Sequence, residues 1–267
     1  MKRIELFEFE DFNWLPNTIR TGVTNLIKVL HRLFGTSDLL VELITNCQKK
    51  TSFSQIIDLG SGSGGPMIDV VKKINDHSKD NSINLLLTDK YPNINTVNSI
   101  NNLKLPYVKY LEHSVDASAL ESAPKGLKTM IASFHHMNPV IAKQILTSAK
   151  KSKEPILIYE IAENTIPVLL WWLLLPISLI ILIVMSLVMT PFVRPLTIPQ
   201  IIFTYLIPII PIIYAWDGQA SIMRTYTFKD IETLIGEKDS KSYKWEISDT
   251  KSVIGKKGGY FVFGYPI

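Results

Sequence analysis

Ile56-Ile57-Asp58-Leu59-Gly60-Ser61-Gly62-Ser63-Gly64-Gly65-Pro66 is the most informative run in this chain of 267 residues. A short apolar strand enters four glycines and two serines, and a helix reads on from Met67 to Ile74. Glycines at such a turn let the backbone adopt positive φ and approach a ligand where a Cβ would clash. The first turn of the following helix offers N–H groups with no partner inside the helix. An ordinary strand-to-helix turn does not need this density of glycine, so the run reads as a ligand cradle.

The same alternation continues on both sides of the cradle. Short apolar runs at Gln55–Leu59, Ile83–Leu87, Tyr107–Leu111, Thr129–Phe134 and Pro155–Glu160 are separated by helical stretches. Strands joined by such crossovers form a parallel sheet flanked by helices. After an apolar interruption, Thr227–Ile235 reads as a helix with Thr227 as N-cap, and Tyr243–Ser248 and Tyr260–Tyr265 read as two more strands. The expected fold is therefore α/β: a seven-stranded, mostly parallel, doubly wound sheet with a C-terminal antiparallel hairpin. Four pieces are expected: a helical cap at 1–50, the core at 51–163, an apolar insert at 164–216 and the rest of the core at 217–267. In the cap, Ile19, Val23, Leu26, Ile27, Leu30 and Phe34 recur at helical spacing.

Two nucleotide-type readings fit the cradle. Gly60, Gly62 and Gly65 satisfy G-x-G-x-x-G, with Asp89 as the ribose acid, which is the dinucleotide pattern of an NAD-binding oxidoreductase. The second reading also uses Asp58, two residues before the first glycine. A pyrophosphate would be repelled by an acid there. Asp58-x-Gly60-x-Gly62-x-Gly64 resembles the first motif of class I S-adenosylmethionine-dependent methyltransferases, where this acid orients the cofactor's amino-acid end. Leu85-Leu86-Leu87-Thr88-Asp89 is similar to that family's second motif, whose carboxylate takes both ribose hydroxyls. Val115-Asp116-Ala117 resembles the site where an aspartate meets the adenine amino group. Ser133-Phe134-His135-His136 ends the fourth strand, where the family places residues lining the methyl group. The resemblance covers about 51–163 and 217–267, and it implies S-adenosylmethionine as cofactor. Implied cofactor contacts are Asp58, Gly60, Ser61, Gly62, Gly64, Asp89, Lys90, Asp116, Ala117, Ser133 and Phe134. The C-terminal hairpin also belongs to this family rather than to dinucleotide folds. Phe12-Asn13-Trp14-Leu15-Pro16 with Arg20, the Gly64-Gly65-Pro66 variant and Trp216-Asp217-Gly218 with Arg224-Thr225-Tyr226 look like signatures of one branch.

The composition is ordinary except in one place. Hydrophobic residues make up 46% of the chain, charged residues 19%, and mean hydropathy is +0.18. Between Glu163 and Asp217 the only charged side chain is Arg194. Ile166 to Val193 and Leu196 to Trp216 are each long enough to cross a bilayer core, with Pro191 and Pro195 in the break between them. Pro199, Pro208 and Pro211 make the second block a poor straight helix. A buried hairpin in a soluble protein is the alternative, but soluble helices rarely run this long without a polar stripe. The expectation is a transmembrane or re-entrant helical hairpin, with the lipid bilayer as partner and the catalytic part facing the cytoplasm. Asp217-Gly218 reads as a turn at the membrane exit. The first ten residues carry early acids and no long apolar run, so no secretory signal is expected there.

Because the insert follows the fifth strand, it is expected over the mouth where methyl transfer occurs. The acceptor is then lipid-like, or else a soluble small molecule with the hairpin serving as an anchor. His135 and His136 are the base candidates, since imidazole titrates near neutrality, and adjacent residues are expected to point apart. Glu160 and Glu163 end the fifth strand, and Glu160 could orient an acceptor hydroxyl. Arg224 could pair with one of these acids or bind an acidic headgroup. His31, His77 and His113 lack partners at metal-ligand spacing, so no metal is expected. A net charge of +4 without a basic arm gives no reason to expect nucleic acid. The single Cys47 excludes a disulfide scaffold. A cofactor-binding protein without turnover is the competing functional class. Oligomeric state is not legible.

Overall fold

The structure, a computed structural model, describes residues 1–77, 82–236, 239–251 and 257–267. Two helices open the chain, α1 (Asn17–Leu33) and α2 (Thr36–Gln48), broken at Gly35, which holds φ 63°. There follow β1 (Gln55–Leu59), α3 (Met67–His77), β2 (Asn84–Thr88), α4 (Ile94–Asn101), β3 (Val108–Tyr110) and β4 (Leu127–Ile131). Next come α5 (Pro139–Ser152), β5 (Ile156–Glu160), α6 (Val168–Met189), α7 (Ile198–Ile201) and α8 (Ile209–Arg224). The chain closes with α9 (Phe228–Ile235), β6 (Asp239–Ser240), β7 (Tyr243–Lys251) and β8 (Lys257–Pro266).

The sheet order is β3-β2-β1-β4-β5-β8-β7-β6. β1 to β5 are parallel, and β8 runs antiparallel between β5 and β7. The seven expected strands are all present, and the two-residue β6 extends the hairpin edge by one more. β1 and β5 are buried almost throughout, which is why they read as unbroken apolar runs rather than alternating ones. β4 ends at Ile131 rather than at Phe134. Ala132 takes φ 49°, which breaks the extended chain, and Phe134–His136 close a 3-10 turn.

The chain divides into two compact units. One joins residues 35–162 to 228–267, and the other joins 1–34 to 163–227. The helical cap thus splits between them. α2 places Leu40, Ile44 and Cys47 in the core of the sheet unit, with Val70 and Val71 of α3 and Leu85 and Leu87 of β2. α1 places Ile19, Val23, Leu26 and Val29 against Met189, Val193, Ile210 and Ile213 of the apolar insert. The apolar positions of α1 thus cover apolar helices rather than the sheet.

In the apolar unit one helix is long and apolar enough to span a membrane: Val168–Phe192, which is α6 with the 3-10 turn after it. Its surface is bare. Leu169 is 85% and Leu173 74% exposed, unlike the core helix of a soluble protein. The second block is broken, as its prolines require: α7 continues in a π-helical turn (Ile202–Leu206), and the chain then bends by 79° into α8. α8 runs straight through Asp217-Gly218 to Arg224, so the turn expected there is replaced by helix. The N–H groups of Phe9 (2.7 Å) and Glu10 (3.2 Å) donate to the Asp217 carboxylate. That buried acid fixes the N-terminal segment rather than turning the chain.

Candidate active site

The site is built on the carboxyl ends of β1, β2 and β4, on either side of the point where the strand order reverses. Doubly wound sheets bind ligands at that place because the crossovers diverge there. Asp58 lies one residue before the end of β1 and is buried. Its Oδ2 accepts from Ser61 Oγ at 2.7 Å and its Oδ1 from Thr129 Oγ1 at 2.7 Å. Burial pushes the carboxyl up to about 6, and these two hydroxyl bonds hold it below what burial alone would produce. Thr88 ties the next strand to the same point: its Oγ1 donates to the Asp58 carbonyl at 2.8 Å, and its N–H donates to Ser61 Oγ at 3.1 Å.

The glycine run curls over this pair. Gly60, Gly62, Gly64 and Gly65 all hold positive φ. A Cβ at Gly62 or Gly65 would meet nothing within 4 Å, so the backbone there borders open space. Gly64 faces inward against Ile68 and Ile100. The run is fixed from two sides: Gly62 N–H donates to Asp89 Oδ2 at 3.1 Å, and Tyr110 Oη donates to the Gly62 carbonyl at 3.0 Å. Asp89 also takes the Tyr91 N–H on Oδ1 at 2.9 Å, and its own carbonyl accepts from Val115 N–H at 2.9 Å. The third acid, Asp116, is half-buried. Its Oδ2 meets Lys90 Nζ at 2.8 Å, and its Oδ1 accepts from Ser118 N–H and Oγ. The Lys90 ammonium, then the Ser118 bonds, bring the carboxyl down to about 2. Lys90 and Asp116 are thus a pair, and Ala117 follows on the same turn.

At the end of β4, Ser133 Oγ is buried with no hydrogen-bond partner among the described residues, and it lies 3.8 Å from where a Cβ at Gly60 would stand. Buried hydroxyls are nearly always hydrogen-bonded, so this one stands out beside the glycine run. Phe134 is wholly buried. His135 N–H donates to Glu160 Oε1 at 3.0 Å, and its Nδ1 lies 2.9 Å from Glu160 Oε2. The two contacts make a forked grip of β5's last residue on the turn after β4. In the tautomer whose Nδ1–H donates to Glu160, Nε2 carries the lone pair. The His135 and His136 rings do not point apart: their centroids are 4.4 Å from each other, because the tight 3-10 turn brings both round to one side. Arg224 belongs to the apolar unit, where Nη1 contacts Asp11 Oδ2 at 2.6 Å and Glu8 Oε1 at 3.2 Å.

Thr88, Thr129, Tyr110 and Ser118 are site residues that sequence reasoning passed over. Thr88 and Thr129 carried a signal. A polar residue inside a strand buried on both faces must find a partner, and the neighbouring acid is the available one.

A mostly parallel sheet with this strand order, an antiparallel C-terminal hairpin and a glycine loop after β1 define the fold of class I S-adenosylmethionine-dependent methyltransferases. Among solved structures, the chain is similar to the plantazolicin methyltransferase BpumL in complex with SAH: TM-score 0.51 and 12% identity, over 94% of this chain and 97% of that one. A second structure of that enzyme, with a monoazolic desmethylPZN analog and SAH, matches at TM-score 0.50 with the same coverage. LaPhzM is 12% identical at TM-score 0.49, and the chain spans 56% of its length. No protein-family model and no curated protein matches the chain.

Proposed function

We propose that this chain is an S-adenosylmethionine-dependent methyltransferase that works at a membrane on a lipophilic acceptor. The observation that carries the reading is the set of acids at or after the ends of three consecutive strands, Asp58, Asp89 and Asp116, the first two bonded to a glycine run that leaves open space. The donor set fits the cofactor's parts. Asp58 is a buried anion for the ammonium of an amino-acid tail, and Asp89 is a half-buried carboxylate for ribose hydroxyls. Ser133 Oγ is an orphan that a ligand atom would satisfy. A pyrophosphate would meet Asp58 as a like charge, which disfavours the dinucleotide reading. The SAH held by the similar BpumL structures agrees with this choice.

S-adenosylmethionine supplies an electrophilic methyl group on a sulfonium. The chain's tasks are alignment and removal of a proton from the acceptor. His135 Nε2 would take the proton that the acceptor gives up, and Glu160 would hold the ring and stabilise the imidazolium. The His136 ring lies beside it, tilted by 35° with centroids 4.4 Å apart. The lipophilic acceptor is supported by the bare helix Val168–Phe192, which follows β5 directly in the chain.

The test has two stages. Calorimetric titration with S-adenosylmethionine and with NAD is expected to give binding only for the first. Membranes incubated with methyl-labelled cofactor are expected to give label in the organic extract, and label only in aqueous metabolites would sink the lipid acceptor. Cofactor binding with no methylated product in any fraction would favour a binding protein without turnover.

A further inference from the structure

The apolar unit has two unlike faces. Along α6, Leu169, Leu173, Ile177, Ile181, Val184 and Val188 are all more than half exposed, at spacings of three and four residues. They form one uninterrupted apolar stripe along a helix about 33 Å long. Part of the hairpin's other flank is covered by α1, whose apolar side packs on Met189, Val193, Ile210 and Ile213, while Ile198, Leu206, Ile207 and Ile212 of the second block are exposed as well.

α1 accompanies the hairpin with polar groups at every level. At its start, Arg20 donates to the carbonyls of Glu10 and Phe12. In its middle, Gln200 Nε2 donates to the Gly22 carbonyl and Asn25 Nδ2 to Gln200 Oε1. At its end, Arg32 Nη2 donates to the Phe192 carbonyl at the hairpin tip, 3.3 Å away. Asn17, Thr18, Thr21 and Arg32 are exposed on the surface of α1. A hairpin that crossed the bilayer would carry the polar surface along α1 into hydrocarbon, where such groups are costly and need water or partners. The covalent path adds a second constraint. α1 ends beside the tip, and only Phe34 and Gly35 separate it from α2 of the sheet unit. That link cannot cross a hydrocarbon core of about 30 Å.

We infer that the apolar unit does not span the membrane but lies along one leaflet, with the α6 stripe facing the lipid and α1 with the Arg194 tip on the water side. This rests on the membrane reading proposed above and names its geometry. The occupant of the stripe is the acyl region of a single leaflet. Half-exposed rings at Phe7, Trp14 and Trp172 belong to the same unit and suit the headgroup depth.

The experiment is cysteine accessibility in sealed right-side-out and inside-out membrane vesicles with a membrane-impermeant maleimide. Cys47 is buried and its thiol is pushed up to about 12, so the wild-type protein supplies the blank. Single cysteines are placed at exposed positions that folding tolerates: Thr21→Cys on α1, Arg194→Cys at the tip, Ile181→Cys in the stripe and Lys109→Cys on the sheet unit. The expected result is that T21C, R194C and K109C label from the same side, and that I181C labels only after detergent. Labelling of R194C from the side opposite K109C would overturn the in-plane geometry and leave the membrane reading standing. Recovery of the protein in the soluble fraction, with I181C labelling at once, would overturn the membrane reading and this inference with it. A melting curve for each variant verifies that it is folded before labelling is read.

Discussion

Asp58 is the residue at which stability and ligand binding oppose each other most directly. Its carboxyl is raised from 3.8 to about 6, chiefly by burial. The folded state therefore holds the proton more tightly than the unfolded one. Stability from this group is fully present below about 3.8 and is lost as pH rises through about 6. The shift corresponds to about 3 kcal/mol at neutral pH. Asp58→Asn keeps the shape: the amide oxygen accepts from Thr129, and the amide nitrogen donates to Ser61. The ligand-free variant is expected to melt higher than wild type at pH 8, with the difference vanishing towards pH 4. The same variant is expected to bind S-adenosylmethionine at least about tenfold more weakly, since a charge-assisted bond is lost. Wild-type affinity should rise with pH through about 6 and then level off, while that of the variant stays flat. Differential scanning calorimetry and titration calorimetry across pH read both effects. Glu160→Gln addresses the other pair. It keeps the contact with the His135 N–H but no longer stabilises an imidazolium, so kcat is expected to fall by about 100-fold with cofactor affinity unchanged. An equal loss in cofactor binding would reassign Glu160 to building the cradle.

At the scale of elements, the tightest joint is where β8 meets β5. Gly259 holds φ 103°, and a Cβ there would stand 2.1 Å from the Glu160 carbonyl oxygen. Gly259→Ala is expected to destabilise the sheet unit by about 3 kcal/mol, from backbone strain and a clash that cannot be relieved by a side chain. It would also displace Glu160 from His135, so urea melts and kcat should both respond. The sheet was legible because its strands are buried on both faces and read as continuous apolar runs between glycines. The glycine run was legible because few other structures use that density of glycine. The end of β4 was not, since nothing in Ala132-Ser133 announces a residue at φ 49°. Nor was the affiliation of α1, because a helix period states which face is apolar and not what covers it. Asp217 was misread for a similar reason: Asp-Gly is a turn signal locally, and the partners of its carboxylate, Phe9 and Glu10, are distant in sequence.

At the scale of the whole molecule, each unit has hydrophobic clusters of its own among the described residues. The sheet unit is held by a cluster running from Leu40 and Ile44 to Phe263 and Tyr265, and the apolar unit by clusters around α1 with Ile210 and around Trp171 with Met223. Each core has its own stabilising ligand in the proposed function, so two-state behaviour is not expected. S-adenosylmethionine at about one hundred times its Kd adds about 2.7 kcal/mol to the unit that binds it. The residues proposed to hold it all lie in the sheet unit, so only that unit's transition should move upward, and D58N should abolish the shift. Lipid vesicles should move only the transition of the apolar unit, because the exposed stripe on α6 is what they cover. Leu173→Lys tests this half, since Leu173 is 74% exposed and its loss costs the folded core little. A charge in the lipid-facing stripe costs about 3 kcal/mol, so vesicle binding should weaken about 100-fold while the cofactor-dependent shift stays intact. Intrinsic fluorescence melts, with cofactor and vesicles added separately and together, distinguish the outcomes. Independent shifts mean that membrane attachment and cofactor binding are separate capacities of one chain. If vesicles instead move the cofactor-dependent transition, the bilayer acts on the sheet unit as well, and attachment regulates the site it serves.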